Sequence, residues 1–153
     1  MKARIFISGL ISLFLLCGAG CVKESCCRGN VPYGECNCPE LKKSDFNVTK
    51  KEAMLYMVSS EQEAWLLQTR MQKGSYIITY NSETDVAQIF STVDNFVNVF
   101  RICNFPDFAK RWAAPRIGQK VYFEGVTYDY CEPLYGIPEI GYSNYILTTL
   151  IKK

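Results

Sequence analysis

The sequence predicts a mainly β domain, a barrel or sandwich of short strands with one or two short helices, carried behind an N-terminal leader and a Cys-rich segment. From about Lys51 onward the chain is rich in Tyr, Phe, Ile and Val, residue types that fit a pleated, half-buried surface. The strand-like segments there are short, closely spaced and divided by polar turns, the pattern of a barrel or sandwich. With 153 residues, 48% hydrophobic and 21% charged, the chain has room for one domain plus its leader. A core of that size forms without the help of metals or disulfides.

Residues 1–20 read as the leader. Lys2 and Arg4 make a short basic start, and Ile5 to Cys17 is an apolar stretch interrupted only by Ser8, Gly9 and Ser12. That length suits the hydrophobic region of an export signal and is too short to span a bilayer. Gly18, Ala19 and Gly20 then stand directly before Cys21, which resembles the lipobox of bacterial lipoproteins, with Gly18 where that signal usually carries Leu. The resemblance implies transfer of diacylglycerol to the Cys21 thiol, cleavage after Gly20 and acylation of the new amino terminus. An ordinary secretory peptide cleaved near Gly20 and a retained membrane helix are the alternatives, and all three place the body outside the cytoplasm. Two or three acyl chains anchor a protein stably where one does not. Val22-Lys23-Glu24-Ser25 lacks the aspartate that often holds lipoproteins in an inner membrane, so the expected address is the outer membrane, on its periplasmic or cell-surface face.

Residues 21–50 read as a lipidated, Cys-rich tether. They hold Cys26-Cys27 and Cys36-x-Cys38 among Gly, Pro, Asn, Lys and Glu, with little apolar periodicity. Four thiols so close together in an oxidising compartment most simply pair. Cys26 and Cys27 rarely bond each other, because adjacent residues close a strained ring, so each is expected to reach across the Gly29 to Gly34 turn to Cys36 or Cys38. The competing expectation is a four-thiolate zinc or copper site, or a redox role. The Cys26-Cys27 spacing lacks the slack of a Cys-x2-Cys zinc knuckle, and Cys-x-Cys is weaker redox evidence than Cys-x-x-Cys.

Residues 51–153 read as the folded body. Strands are expected near Ala53 to Val58, Ser75 to Tyr80, Val86 to Phe90, Phe96 to Cys103, Lys120 to Tyr130 and Tyr145 to Ile151, with turns at Asn81-Ser-Glu-Thr and Thr92-Val-Asp-Asn. Ser60 to Met71 opens with a Ser followed by Glu63 at capping-box spacing, yet its apolar positions also permit an extended segment. Pro106 to Trp112 follows Asn104 with Pro at an early helical position, and a short helix is expected there.

A strand ending in Ile102-Cys-Asn-Phe-Pro106, a short helix over Asp107 to Trp112, and Ile117-Gly-Gln-Lys-Val-Tyr-Phe-Glu-Gly-Val-Thr-Tyr128 before a closing strand carry a resemblance. Over roughly Gly74 to Lys153 the chain is similar to small exported Bacteroidetes-type lipoproteins whose body is an OB-like β-barrel. That similarity implies an OB-like barrel of five to six strands, a helix plugging one end, and an exported address; it implies no active site. From the residues themselves, Val121 and Phe123 share one strand face, and a bulge at Gly125 is expected to move Val126, Tyr128 and Tyr130 into another phase. Cys103 and Cys131 then stand at the ends of two strands, as a disulfide or as two buried thiols.

Charge and composition exclude several functions. Setting aside Lys2 and Arg4, the mature chain carries 15 basic and 15 acidic residues, and a neutral surface releases few counterions from a phosphate backbone. Nucleic acid is therefore not an expected partner. The absence of histidine removes the commonest general base, the usual triads and imidazole metal sites. Glu124, Asp129, Glu132 and Glu139 cluster around the last hairpin, where two carboxylates can flank a glycosidic bond in a hydrolase, although edge strands carry charge for solubility alone. No catalytic residues and no cofactor are expected. Tyr122, Tyr128, Tyr130, Tyr135 and Tyr142 crowd toward the C-terminus and are the candidate stacking surface for a glycan or an envelope protein. A periplasmic thiol protein using Cys26, Cys27, Cys36 and Cys38 is the alternative.

Overall fold

The computed structural model describes residues 28–30 by their backbone, and residues 36, 42–44, 48, 50–130 and 140–153. Strand β1 is Arg28–Asn30. The body follows as β2 (Lys51–Val58), α1 (Glu61–Thr69), β3 (Tyr76–Asn81), β4 (Val86–Val93), β5 (Phe96–Ile102), α2 (Asp107–Lys110), β6 (Gln119–Asp129) and β7 (Ile140–Lys152). The strands neighbour one another in the order β1-β7-β5-β4-β3-β2-β6, and β6 pairs back onto β7, so β2 to β7 close a six-stranded barrel. The meander β3-β4-β5, the parallel step from β5 to β7, the antiparallel β7-β6 pair and a helix between β5 and β6 make the order OB-like. β2 is the additional stave, antiparallel to β6 and parallel to β3.

Alternation along the strands fills the barrel. Leu55, Ile78, Tyr80, Ile89, Phe100, Ile102, Val121, Phe123, Tyr145, Leu147 and Leu150 form one buried cluster, and a barrel of this size is filled by its own side chains. Phe123 and Phe100 each meet the Tyr145 ring edge to face. One end is closed by α2 and its flanks. Ala109 and Ala113 are buried there with Phe105, Phe108 and Trp112 half-buried against the core, and Phe105 stacks on Tyr80 with ring centres 5.4 Å apart. Lys110 ties this plug to the β3-β4 turn through Asp85 at 2.7 Å and pairs with Asp107 of its own helix at 2.9 Å. Those two carboxylates, Asp107 first, hold the Lys110 ammonium above its ordinary range.

The bulge lies where it was expected, but on the opposite strand. Glu124 pairs with Thr149 and Gly125 with Leu147, so the extra residue is Thr148 of β7. β6 therefore keeps an unbroken alternation, with Val121, Phe123, Gly125 and Thr127 inward, and Val126 and Tyr128 stay in phase with Tyr122. The phase changes in β7 instead, from Tyr145 and Leu147 to Leu150. Gly125 is needed because a Cβ there would run into the Ile146 carbonyl and the Tyr145 ring. β7 also begins at Ile140, five residues before the expected Tyr145, because its first half is the parallel partner of β5.

Parts of the expected tether belong to the barrel. β1 pairs with Thr149 to Ile151 of β7, beyond the stretch of that edge taken by β5. Lys43 bridges Tyr128, the Ser44 N–H donates to the Thr127 carbonyl at 3.0 Å, and the Asp129 N–H donates to the Lys42 carbonyl at 2.8 Å. Val48, 2% exposed, enters the core, and its carbonyl accepts the Tyr145 hydroxyl at 2.7 Å. Burial lifts the Tyr145 phenol well above its ordinary range, so the hydroxyl remains a donor at any physiological pH. A segment without apolar periodicity docks here by backbone pairing and one apolar side chain, neither of which leaves a sequence pattern.

Candidate functional site

The pairing of the described cysteines differs from expectation. A disulfide joins Cys36 to Cys103 across 67 residues of sequence, with Cα atoms 5.0 Å apart. Cys36 therefore does not pair with Cys26 or Cys27, and Cys103 does not pair with Cys131. The reason is the docking just described: the chain runs back along β6 through Lys42 to Ser44, while Cys103 continues β5 onto β7 through its N–H bond to the Tyr145 carbonyl at 3.0 Å. A four-thiolate site of Cys26, Cys27, Cys36 and Cys38 loses the Cys36 sulfur. Cys21, Cys26, Cys27, Cys38, Cys131 and Tyr135 lie outside the described residues, as do Glu132 and Glu139. Among the described residues no group of three or more Cys, Asp or Glu side chains is placed to hold a metal ion. Glu124 is half-buried on the outer phase of β6, and Asp129 is exposed at its end.

Of the tyrosine candidates, the structure brings two together. Tyr130 and Tyr142 meet with ring centres 5.9 Å apart at a tilt of 48°. Tyr122 and Tyr128 lie half-buried on the outside of β6, opposite Ile151 and Asn144, and neither ring stacks on another among the described residues. Tyr145 is core. Tyr142 belongs to a second apolar cluster on the outside of the barrel, where Ala64 of α1 is buried against Val58, Ile77, Phe90 and Val99 of the strands. Burial first, then the nearby Glu61 carboxylate and Tyr130, raise its phenol above the usual value.

Helix α1 exists because its start is well capped. The Ser60 side chain accepts the Glu63 N–H at 3.2 Å, and the Glu63 carboxylate accepts both the N–H and the hydroxyl of Ser59. The reciprocal half of the capping box thus falls one residue earlier than the spacing suggests. Those two Ser59 bonds hold the Glu63 carboxyl below its ordinary value. Trp65 anchors the helix by meeting Phe90 edge to face at 5.3 Å, and the Gln68 amide donates to the Thr92 hydroxyl at 3.0 Å.

Strand register writes the outer face beneath α1 as rows. Ile77, Phe90, Val99 and Tyr142 form an apolar row, and Thr79, Gln88 and Arg101 a polar row beside it. The helix covers the apolar row. Between its first turn and the β3-β4 hairpin a groove of about 460 Å³ remains, within the range of small-ligand sites. Thr79 and Gln88 are on its floor, Val58, Ala64 and Val86 line it, and Glu61 and Glu83 stand at its edge. Tyr142 does not line it; both belong to the same outer face, where Val58 and Ala64 of the groove are part of the cluster against which Tyr142 packs, and burial first, then the Glu61 carboxylate, raises the Tyr142 phenol. Sequence reasoning singled out Tyr142 and missed Thr79 and Gln88, since an isolated polar residue at an outward strand position looks like an ordinary solvated one. No family model matches the chain, and no curated protein matches it.

Proposed function

We propose that this chain is a non-catalytic, lipid-anchored binding module of a bacterial cell envelope, held in the outer membrane through Cys21, that uses its outer face to take a glycan or an envelope protein. The observation that carries this is the Tyr130–Tyr142 pair on the barrel's outside, on the same face as an open groove at the start of α1. Half-buried aromatic faces next to hydrogen-bonding groups suit sugars and protein surfaces. OB-type barrels take oligonucleotides and oligosaccharides on this side of the fold, an argument from analogy; a groove edged by Glu61 and Glu83 with no Lys or Arg in its lining favours the uncharged partner. A disulfide within the body supports an oxidising compartment outside the cytoplasm. The leader and its lipobox-like Cys21 support the anchor, and the resemblance to exported lipoproteins supports the same address.

The test is a screen of the purified protein against neutral and charged glycans and envelope proteins, repeated with Tyr130→Ala and Tyr142→Ala. Binding in the micromolar range, weakened tenfold or more in both variants at unchanged circular dichroism, is the expected result. A ligand bound equally by wild type and both variants places recognition elsewhere and overturns the proposal.

A further inference from the structure

From the groove at the start of α1 we infer a subsite for an uncharged N-acetylated sugar residue, an inference that rests on the glycan-binding reading above. Thr79 is 2% exposed, lines the groove, and its hydroxyl makes no hydrogen bond among the described residues. Among the described residues the closed-off hydroxyls without a partner are those of Ser91 and Thr127; the Thr79 hydroxyl, on a residue that lines the groove, is instead open to a partner that arrives with a ligand. Its cross-strand neighbour Gln88 presents an amide that is likewise unbonded among the described residues. On the facing wall the Ser60 hydroxyl and carbonyl serve Glu63 and Ala64, which leaves the Glu61 N–H of the first turn as a free donor.

Charge narrows the class. Glu61 and Glu83 edge the groove, and neither has an ion-pair partner among the described residues, so an anionic ligand is repelled. The donors that line the same space, at the positive end of the α1 dipole, call for an acceptor, which a simple cation lacks. What remains is a neutral group with an acceptor for the Glu61 N–H and the Thr79 hydroxyl, a donor for the Gln88 oxygen, and a small apolar part to sit against Val58, Ala64 and Val86. An acetamido group has all three.

Calorimetric titration of the detergent-solubilised full protein with chitotetraose, cellotetraose and a tetra-uronic acid tests this. The expected result is chitotetraose bound at least tenfold more tightly than cellotetraose, no binding of the uronic acid, and loss of that preference in Thr79→Val, an isosteric change that keeps the fold. Equal affinity for chitotetraose and cellotetraose, both lost in Tyr142→Ala, overturns the subsite while leaving the aromatic surface standing. Binding of neither neutral oligomer overturns both. A chitotetraose preference that survives Thr79→Val overturns the assignment of the groove.

Discussion

At the scale of single residues, two side chains inside the barrel show how a hydroxyl is treated once water is gone. The Tyr145 hydroxyl donates to the Val48 carbonyl, whereas Thr127, fully buried on the neighbouring strand, has no partner for its hydroxyl among the described residues. A lost partner leaves a buried carbonyl unsatisfied, while removing an unsatisfied hydroxyl costs nothing in bonding. Tyr145→Phe is therefore expected to destabilise by about 2 kcal/mol and Thr127→Val to stabilise by about 1 kcal/mol. Urea midpoints shifted in opposite directions at unchanged slope check this; a loss of stability in Thr127→Val would show that the hydroxyl is bonded. The same logic sets Thr79 apart, because its hydroxyl lines an open groove and Thr127 lies in closed core.

Elements report on what a local pattern can and cannot reveal. The hairpin strands were legible from their β-branched and aromatic runs because alternation is a local property: β3, β4 and β5 begin and end within a few residues of where the sequence puts them. Helix α1 was ambiguous, since five of its nine residues, Glu61, Gln62, Glu63, Gln68 and Thr69, are polar and the apolar remainder fits two periods. Capping and the Trp65–Phe90 contact decided for helix. Ser60→Ala is accordingly expected to cost about 1 kcal/mol, seen as a lower thermal midpoint, and to loosen the groove wall that α1 provides; an unchanged midpoint would mean that burial of Trp65 alone holds the helix. β1, the Val48 contact and the first half of β7 were not legible, because each is fixed by a partner strand far away in sequence. The Thr79–Gln88 floor was hidden for the same reason, being defined by the helix that crosses above it.

At the scale of the whole molecule, the chain before the barrel is part of its architecture. The Cys36–Cys103 bond closes a loop with a sequence separation of 67, which in the chain-entropy account restricts the unfolded state by about 4 kcal/mol. Backbone pairing of β1 and of residues 42–44 and the burial of Val48 hold the same segment from other sides. Under the proposed anchoring at Cys21, the barrel is expected to stand close to its membrane, since pairing onto β7 begins at Arg28. The most direct measurement is the intact mass and disulfide map of the protein isolated from its native cells, alkylated before and after reduction. A diacyl or triacyl adduct on Cys21, cleavage after Gly20 and a Cys36–Cys103 cross-linked peptide are the predicted result. An unmodified Cys21 with the leader retained, and Cys36 and Cys103 both alkylated without reduction, would contradict it.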